Sequence, residues 1–122
     1  ALSRGARFCQ FVDESADARA TIRSNADTLG VTGLCKVWRR DATDLGDCAP
    51  QTPYDLVFCD PPYNKGLGEK ALQSLVKGNW VQPKAVIVLE EAADIFVSEV
   101  VGLTLLDQRK YGDTQAVFLR VP

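Results

Sequence analysis

Apolar runs that break off abruptly at acids are the strongest constraint on how this chain folds. "RFCQFVDES", "CKVWRRDA" and "YDLVFCDPPY" each read as a short β-strand followed at once by a carboxylate, at Asp13-Glu14, Asp41 and Asp60. "KAVIVLEE" is a fourth such run. It and the third run are near-continuously apolar, as strands covered on both faces are. Between the first two runs, "SADARATIRSNADTLG" carries Ala18, Ile22, Ala26 and Leu29 on one helical face. Ser15 can cap that helix, Asp17 suits its first turn and Gly30 can close it. "GEKALQSLVKGN" predicts a second helix with Ala71, Leu72, Leu75 and Val76 inward and Gly78 as a stop.

The order is therefore β-α-β-loop-β-α-β, the loop being the polar, proline-containing "TDLGDCAPQTP". "LTLLDQRKYGDTQAVFLRV" then reads as two strands joined at Gly112-Asp113, a hairpin signal. Alternating strands and helices predict an α/β, Rossmann-like sheet, mostly parallel, ending in an antiparallel hairpin. The parallel strands are expected near Arg7–Val12, Lys36–Arg39, Tyr54–Cys59 and Ala85–Leu89. The 122 residues suffice for one compact domain and not for two, and no internal domain boundary is legible. "ALSRGA", with Gly5 as a stop, reads as the tail of a helix, so the chain is expected to be the C-terminal portion of a domain whose start lies upstream.

Composition removes several function classes. There is no histidine, so this chain holds no histidine general base, no Ser-His-Asp triad and no histidine-ligated metal. Cys9, Cys35, Cys48 and Cys59 form no C-x-x-C pair and read as small buried thiols rather than a metal or disulfide set. No metal is expected. No apolar run approaches the about 20 residues of a membrane span, and no basic-then-apolar leader is legible, so the expected home is the cytoplasm, with no membrane partner. The net charge of −2 is low for a generic nucleic-acid binder. The cations are nevertheless grouped, at Arg4, Arg7, Lys36, Arg39, Arg40, Arg109 and Lys110.

In an open α/β sheet, ligands bind outside the carboxyl ends of the strands. A carboxylate there can accept from a ribose diol or from the amine of adenine, or it can simply cap the next helix. Three successive acidic strand ends favour a nucleoside-containing cofactor. Asp60-Pro61-Pro62-Tyr63 is more specific. Neither proline has an N–H and both have a fixed φ, so the segment offers stiff acceptors beside a carboxylate and then a flat ring. That combination suits an amino group on a planar base. Two acceptors on its N–H bonds would turn the nitrogen lone pair outward while Tyr63 stacks on the base. Transfer to that nitrogen would then depend on positioning.

With these residues in place, the chain resembles the bacterial 16S ribosomal RNA guanine-N2 methyltransferases, a branch of the class I S-adenosylmethionine-dependent methyltransferases. "FVDES", "RRDA", "VFCDPPYNKGLGEKAL", "VIVLEE" and "RKYGDTQAVFLR" carry the likeness. It implies that Asp13, with Glu14, binds the ribose of S-adenosyl-L-methionine. Asp41 would accept from the adenine amine beside the Ala42 N–H. Asp60, also counted with the cofactor-binding residues, and the Pro61 carbonyl would grip the target amine, in a catalytic set of Asp60, Pro61, Pro62 and Tyr63. Lys65 is either a phosphate contact or an ordinary solvated lysine; with Arg109 and Lys110 it makes up the cations assigned to RNA. The implied partner is 16S RNA or a small-subunit assembly particle; oligomeric state is not legible.

The family's first strand and glycine-rich loop have no counterpart here, and its order then leaves a gap between its second and fourth strands. Two other readings stay open: a DNA adenine-N6 methyltransferase, and a non-catalytic fragment completed by a partner chain.

Overall fold

The computed structural model describes residues 2–62 and 65–122; Tyr63, Asn64 and Ala1 lie outside the described residues. The chain forms two compact units, Ala1–Ala42 and Thr43–Pro122, and each carries its own hydrogen-bonded sheet.

The first unit opens with a 3-10 turn, Leu2–Arg4, closed by Gly5 at φ 102°. It continues through β1 (Cys9–Val12), α1 (Ala16–Leu29) and β2 (Cys35–Trp38). The two strands are parallel, with Val12 opposite Trp38. The ends of α1 follow from its sequence. Ser15 is extended and its side chain accepts from the Ala18 N–H, while Gly30 adopts the left-handed conformation that ends the helix. Ala26 is buried, but Leu29 at the last turn is exposed.

The second unit contains β3 (Tyr54–Cys59), α2 (Leu67–Lys77), β4 (Val81–Ala92), β5 (Thr104–Tyr111) and β6 (Thr114–Arg120), with sheet order β3-β4-β6-β5. β3 and β4 are parallel, while β6 is antiparallel to both β4 and β5. The hairpin turn is the expected Gly112-Asp113, with Gly112 at φ 57°. Leu72 of α2 meets Ile87, Leu89, Val117, Leu119 and Val100 in the core. β4 lies between β3 and β6 and buries Ala85, Ile87 and Leu89, as its apolar run predicts.

Three expectations change, the third being the burial of the cysteines. β3 is an edge strand of its sheet, not one covered on both faces: Val57 and Cys59 pack on the core, whereas Leu56 and Phe58 are exposed. An apolar run reports what a strand can bury, not whether a neighbour covers it. The segment 43–53 is irregular as expected, yet it is anchored. Leu45 N–H donates to Ser74 Oγ at 2.7 Å, Cys48 N–H to the Gly78 carbonyl at 2.8 Å, and Trp80 Nε1 to the Gly46 carbonyl at 2.9 Å. Leu45, Cys48 and Trp80 are buried. Among the cysteines, all of them free, Cys48 is the buried one and Cys9, Cys35 and Cys59 are half-buried.

Candidate active site

Both sheets present acids at the carboxyl ends of parallel strands. In the first unit, the ladder runs on past β1, with Asp13 N–H donating to the Trp38 carbonyl at 3.1 Å. Asp13 is half-buried, and its Oδ1 accepts the Ser15 N–H at 2.8 Å. The carboxylate thus shapes the turn into α1 with one oxygen and keeps a second as an acceptor. Arg19 reaches back from α1 and donates to the carbonyls of Asp13 at 3.2 Å and Glu14 at 2.7 Å, which fixes the turn's backbone. Glu14 is exposed, as are Asp41 and Ala42 beyond β2. Sequence reasoning missed Trp38, over whose ring the Arg40 guanidinium lies at 4.6 Å and the Lys36 amine at 5.7 Å. Their i, i+2, i+4 spacing across the end of β2 was the available signal.

In the second unit, β3 ends at Cys59, and Asp60 and Pro62 are exposed while Pro61 is half-buried. The fourth residue of the motif, Tyr63, lies outside the described residues. Burial, and then the charge of Asp60, push the Cys59 thiol up to about 11, so it stays a neutral neighbour of the site. Gly66, left-handed at φ 64°, turns the chain into α2. Gly68, in the first turn, comes so close to Leu89 and Pro61 that a β-carbon would meet both, at 2.8 and 3.5 Å. The helix therefore backs directly onto the Pro61 ring.

The β3–β4 register pairs Cys59 with Leu89, so Asp60 stands level with Glu90 on the neighbouring strand. Glu90 was not singled out from the sequence, although "LEE" at a strand end carries the same acid signal. The antiparallel ladders bring Ala92, Thr114 and Tyr111 into one row. Arg109 and Lys110 thus lie toward the same end of this sheet as Asp60, both exposed. Arg109 pairs with Asp107 at 2.9 Å and lies 5.9 Å from the Phe118 ring centre. Lys65, between motif and helix, is exposed. Among the described residues no cluster of three or more metal-ligating side chains occurs, and no helix is long and apolar enough to cross a membrane.

The Conserved hypothetical protein 95 family matches residues 1–120. The chain belongs to that family. Ribosomal RNA small subunit methyltransferase D of Haemophilus influenzae is 30% identical over 114 residues, covering 92% of this chain and 59% of that protein. YlbH of Bacillus subtilis, whose name gives rRNA methylation provisionally, is 32% identical over 117 residues, covering 93% and 64%. The chain thus spans about three fifths of the length of these relatives. The crystal structure of a Haemophilus influenzae protein, provisionally a methylase, superposes with a TM-score of 0.83 at 27% identity over 98% of this chain and 76% of that one. An RNA methyltransferase of Salinibacter ruber, solved with S-adenosyl-L-homocysteine, shares the fold at a TM-score of 0.65 and 13% identity, over 93% and 65%. The fold of the Conserved hypothetical protein 95 chain is accordingly the α/β class I methyltransferase fold, divided here into two sheets.

Proposed function

We propose that the full-length protein transfers a methyl group from S-adenosyl-L-methionine to the exocyclic N2 amine of a guanine in 16S ribosomal RNA. The observation that carries this reading is Asp60-Pro61-Pro62 at the carboxyl end of a parallel strand, its ring backed by α2. The names of the relatives support RNA as the substrate, and the Salinibacter structure supports the cofactor, since S-adenosyl-L-homocysteine is what remains of the donor after transfer.

The residues of the first unit fit a nucleoside. Asp13 keeps one carboxylate oxygen for a ribose diol while the other maintains the turn, and Asp41 with the Ala42 N–H suits the adenine edge. Bound S-adenosyl-L-methionine supplies an electrophilic methyl group. The chain's own contribution is to hold the nucleophile. Asp60 and the Pro61 carbonyl accept the two N–H bonds of the target amine and orient its lone pair. Pro62 stiffens the segment and Tyr63 stacks on the base. The target nucleotide must be unpaired or flipped out to reach these groups. Lys65, Arg109 and Lys110 neutralise RNA phosphates.

The test is methyl transfer by the full-length protein to 16S RNA and to small-subunit particles, set against duplex DNA. Transfer to RNA or particles with little to DNA is expected. The reverse preference would establish adenine-N6 chemistry on DNA, and transfer to none would leave the non-catalytic reading.

A further inference from the structure

Phe96 is 84% exposed just beyond β4, yet the backbone leading to it is tightly held. Gln115 of β6 is fully buried, and its Nε2 donates to the carbonyls of Ala92 at 2.7 Å and Ile95 at 2.6 Å. The Oε1 of the same amide accepts from Gln108 Nε2. Ile95 N–H donates to the Ala92 carbonyl at 3.2 Å, and Ala93 N–H to the Asp113 carbonyl at 2.8 Å. A buried glutamine in a phase otherwise filled by Val117 and Leu119 is thus spent on fixing the turn from which Phe96 projects. Ordered backbone under an aromatic ring left in water points to a ligand for that ring.

The same end of the sheet carries the rest of a binding surface. Tyr111, 62% exposed, ends the row Ala92, Thr114, Tyr111. Arg109 and Lys110 immediately precede it on opposite faces of the strand, Arg109 on the face of Tyr111 and Thr114 and Lys110 on that of Gln115. Between turn and hairpin lies an open hollow of about 570 Å³ lined by Ala92, Ala93, Asp94, Gly112 and Asp113. Two of its five residues are carboxylates, which repel a phosphate and accept from the N–H edge of a base. The Arg109–Asp107 pair is exposed, and exposed pairs of this kind are weak; the guanidinium also interacts with the Tyr111 side chain on the same face of the strand.

We propose that single-stranded RNA next to the target nucleotide lies across this end of the sheet. The strand passes over the rim of the sheet: Phe96 and Tyr111 stack on two bases, Asp94 and Asp113 meet a base edge in the hollow, and Arg109 and Lys110 take phosphates on its two faces. Exposed aromatic rings beside cations are the pattern of single-strand binding, where stacking tolerates any base and charge follows the backbone. A protein partner would call for a contiguous apolar patch with few charges at its centre, and here acids and bases interrupt the rings. This inference rests on the RNA reading above and adds where the substrate strand runs.

The experiment is steady-state methylation of 16S RNA by the full-length protein, alongside binding of a fluorescein-labelled single-stranded RNA followed by anisotropy. Phe96→Ala and Tyr111→Ala should each weaken RNA binding on the order of tenfold or more, with the loss falling on KM rather than kcat. Phe96→Tyr and Tyr111→Phe should restore most of it, because the π-face returns. Neither alanine variant should alter S-adenosyl-L-methionine affinity by calorimetry. If the parent methylates 16S RNA and both alanine variants match it in KM and in binding, this inference is overturned while the function stands. The same holds if the loss falls on kcat and the aromatic replacements fail to rescue it. A parent that neither binds nor methylates RNA overturns both.

Discussion

A β-carbon on Gly68 would lie 2.8 Å from Cδ1 of Leu89. Leu89 is fully buried in the core of the second unit, so its methyl has nowhere to swing. The first turn of α2 can press against β4 and Pro61 only because residue 68 lacks a side chain. Gly68→Ala should gain about 0.8–1 kcal/mol in helix propensity but lose about 1–3 kcal/mol to overpacking. The expected net result is a lower urea midpoint. Leu89→Val should relieve the contact, so the double variant should lose less than the sum of the singles. Additive losses would mean that the two groups do not press on each other.

Asp60 is the residue on which the catalytic reading turns. Asp60→Ala should reduce methyl transfer far more than S-adenosyl-L-methionine affinity, because its hydrogen bonds matter most in the transition state. Asp60→Asn keeps one acceptor and should retain partial activity. Tyr63→Phe should be mild and Tyr63→Ala severe, since the stacking face survives only in the first. Single-turnover rates on 16S RNA or small-subunit particles, normalised to folded protein, measure this. If Asp60→Ala and Tyr63→Ala turn over like the parent, the motif is a structural turn.

Asp13 has two tasks that substitutions can separate. Asp13→Ala removes both the ribose acceptor and the acceptor of the Ser15 N–H. It should weaken cofactor binding by roughly 1.5–3 kcal/mol and also lower the melting temperature. Asp13→Asn keeps the turn and should melt near the parent while still binding the cofactor less well. Calorimetry with unchanged affinity in both variants would remove Asp13 from the cofactor site.

The Cys59 thiol gives the protein a defined alkaline weakness. It ionises near 9 in the unfolded chain and at about 11 in the folded protein, through burial first and the Asp60 charge second. Its stabilising contribution is therefore complete below pH 9 and is lost as pH rises toward 11. At about 1.36 kcal/mol per pH unit, the loss is on the order of 2–3 kcal/mol. Urea titrations at pH 8 and at about pH 10.5 should show the parent losing more stability than Cys59→Ala. Equal losses would mean that the thiol is solvated.

Lys110 reports the electrostatic side of RNA binding. Lys110→Ala should weaken binding of single-stranded RNA and reduce the slope of log K against log salt by about 0.7, the value for one phosphate contact on a single strand. Phe96→Ala, which removes no charge, should leave that slope alone. An unchanged slope in Lys110→Ala would take the lysine off the phosphate backbone.

Much of the fold was legible because its signals are local. Ser15 and Gly30 bound α1 through hydrogen bonds and a left-handed φ that involve only adjacent residues. β3 begins and ends where its apolar run does, and Gly112-Asp113 makes the hairpin turn. The acids at Asp13, Asp41 and Asp60 fall just past strands because strand ends are visible in the apolar pattern. Burial was less legible. Leu56 and Phe58 read as core yet are exposed, while Leu45 and Cys48, in a segment read as a polar loop, are buried beside Trp80.

The sequence by itself determined the order of strands and helices, the acidic strand ends and the Asp-Pro-Pro-Tyr segment, because propensity, capping and periodicity act within a few residues. Only the tertiary structure decided which strand is an edge, that Asp60 stands level with Glu90, that Gly68 must be bare against Leu89, and that Gln115 holds the turn beneath Phe96. Each of these depends on which distant segments hydrogen-bond or pack together, and register and close packing are properties of pairs of elements that no single stretch of chain encodes.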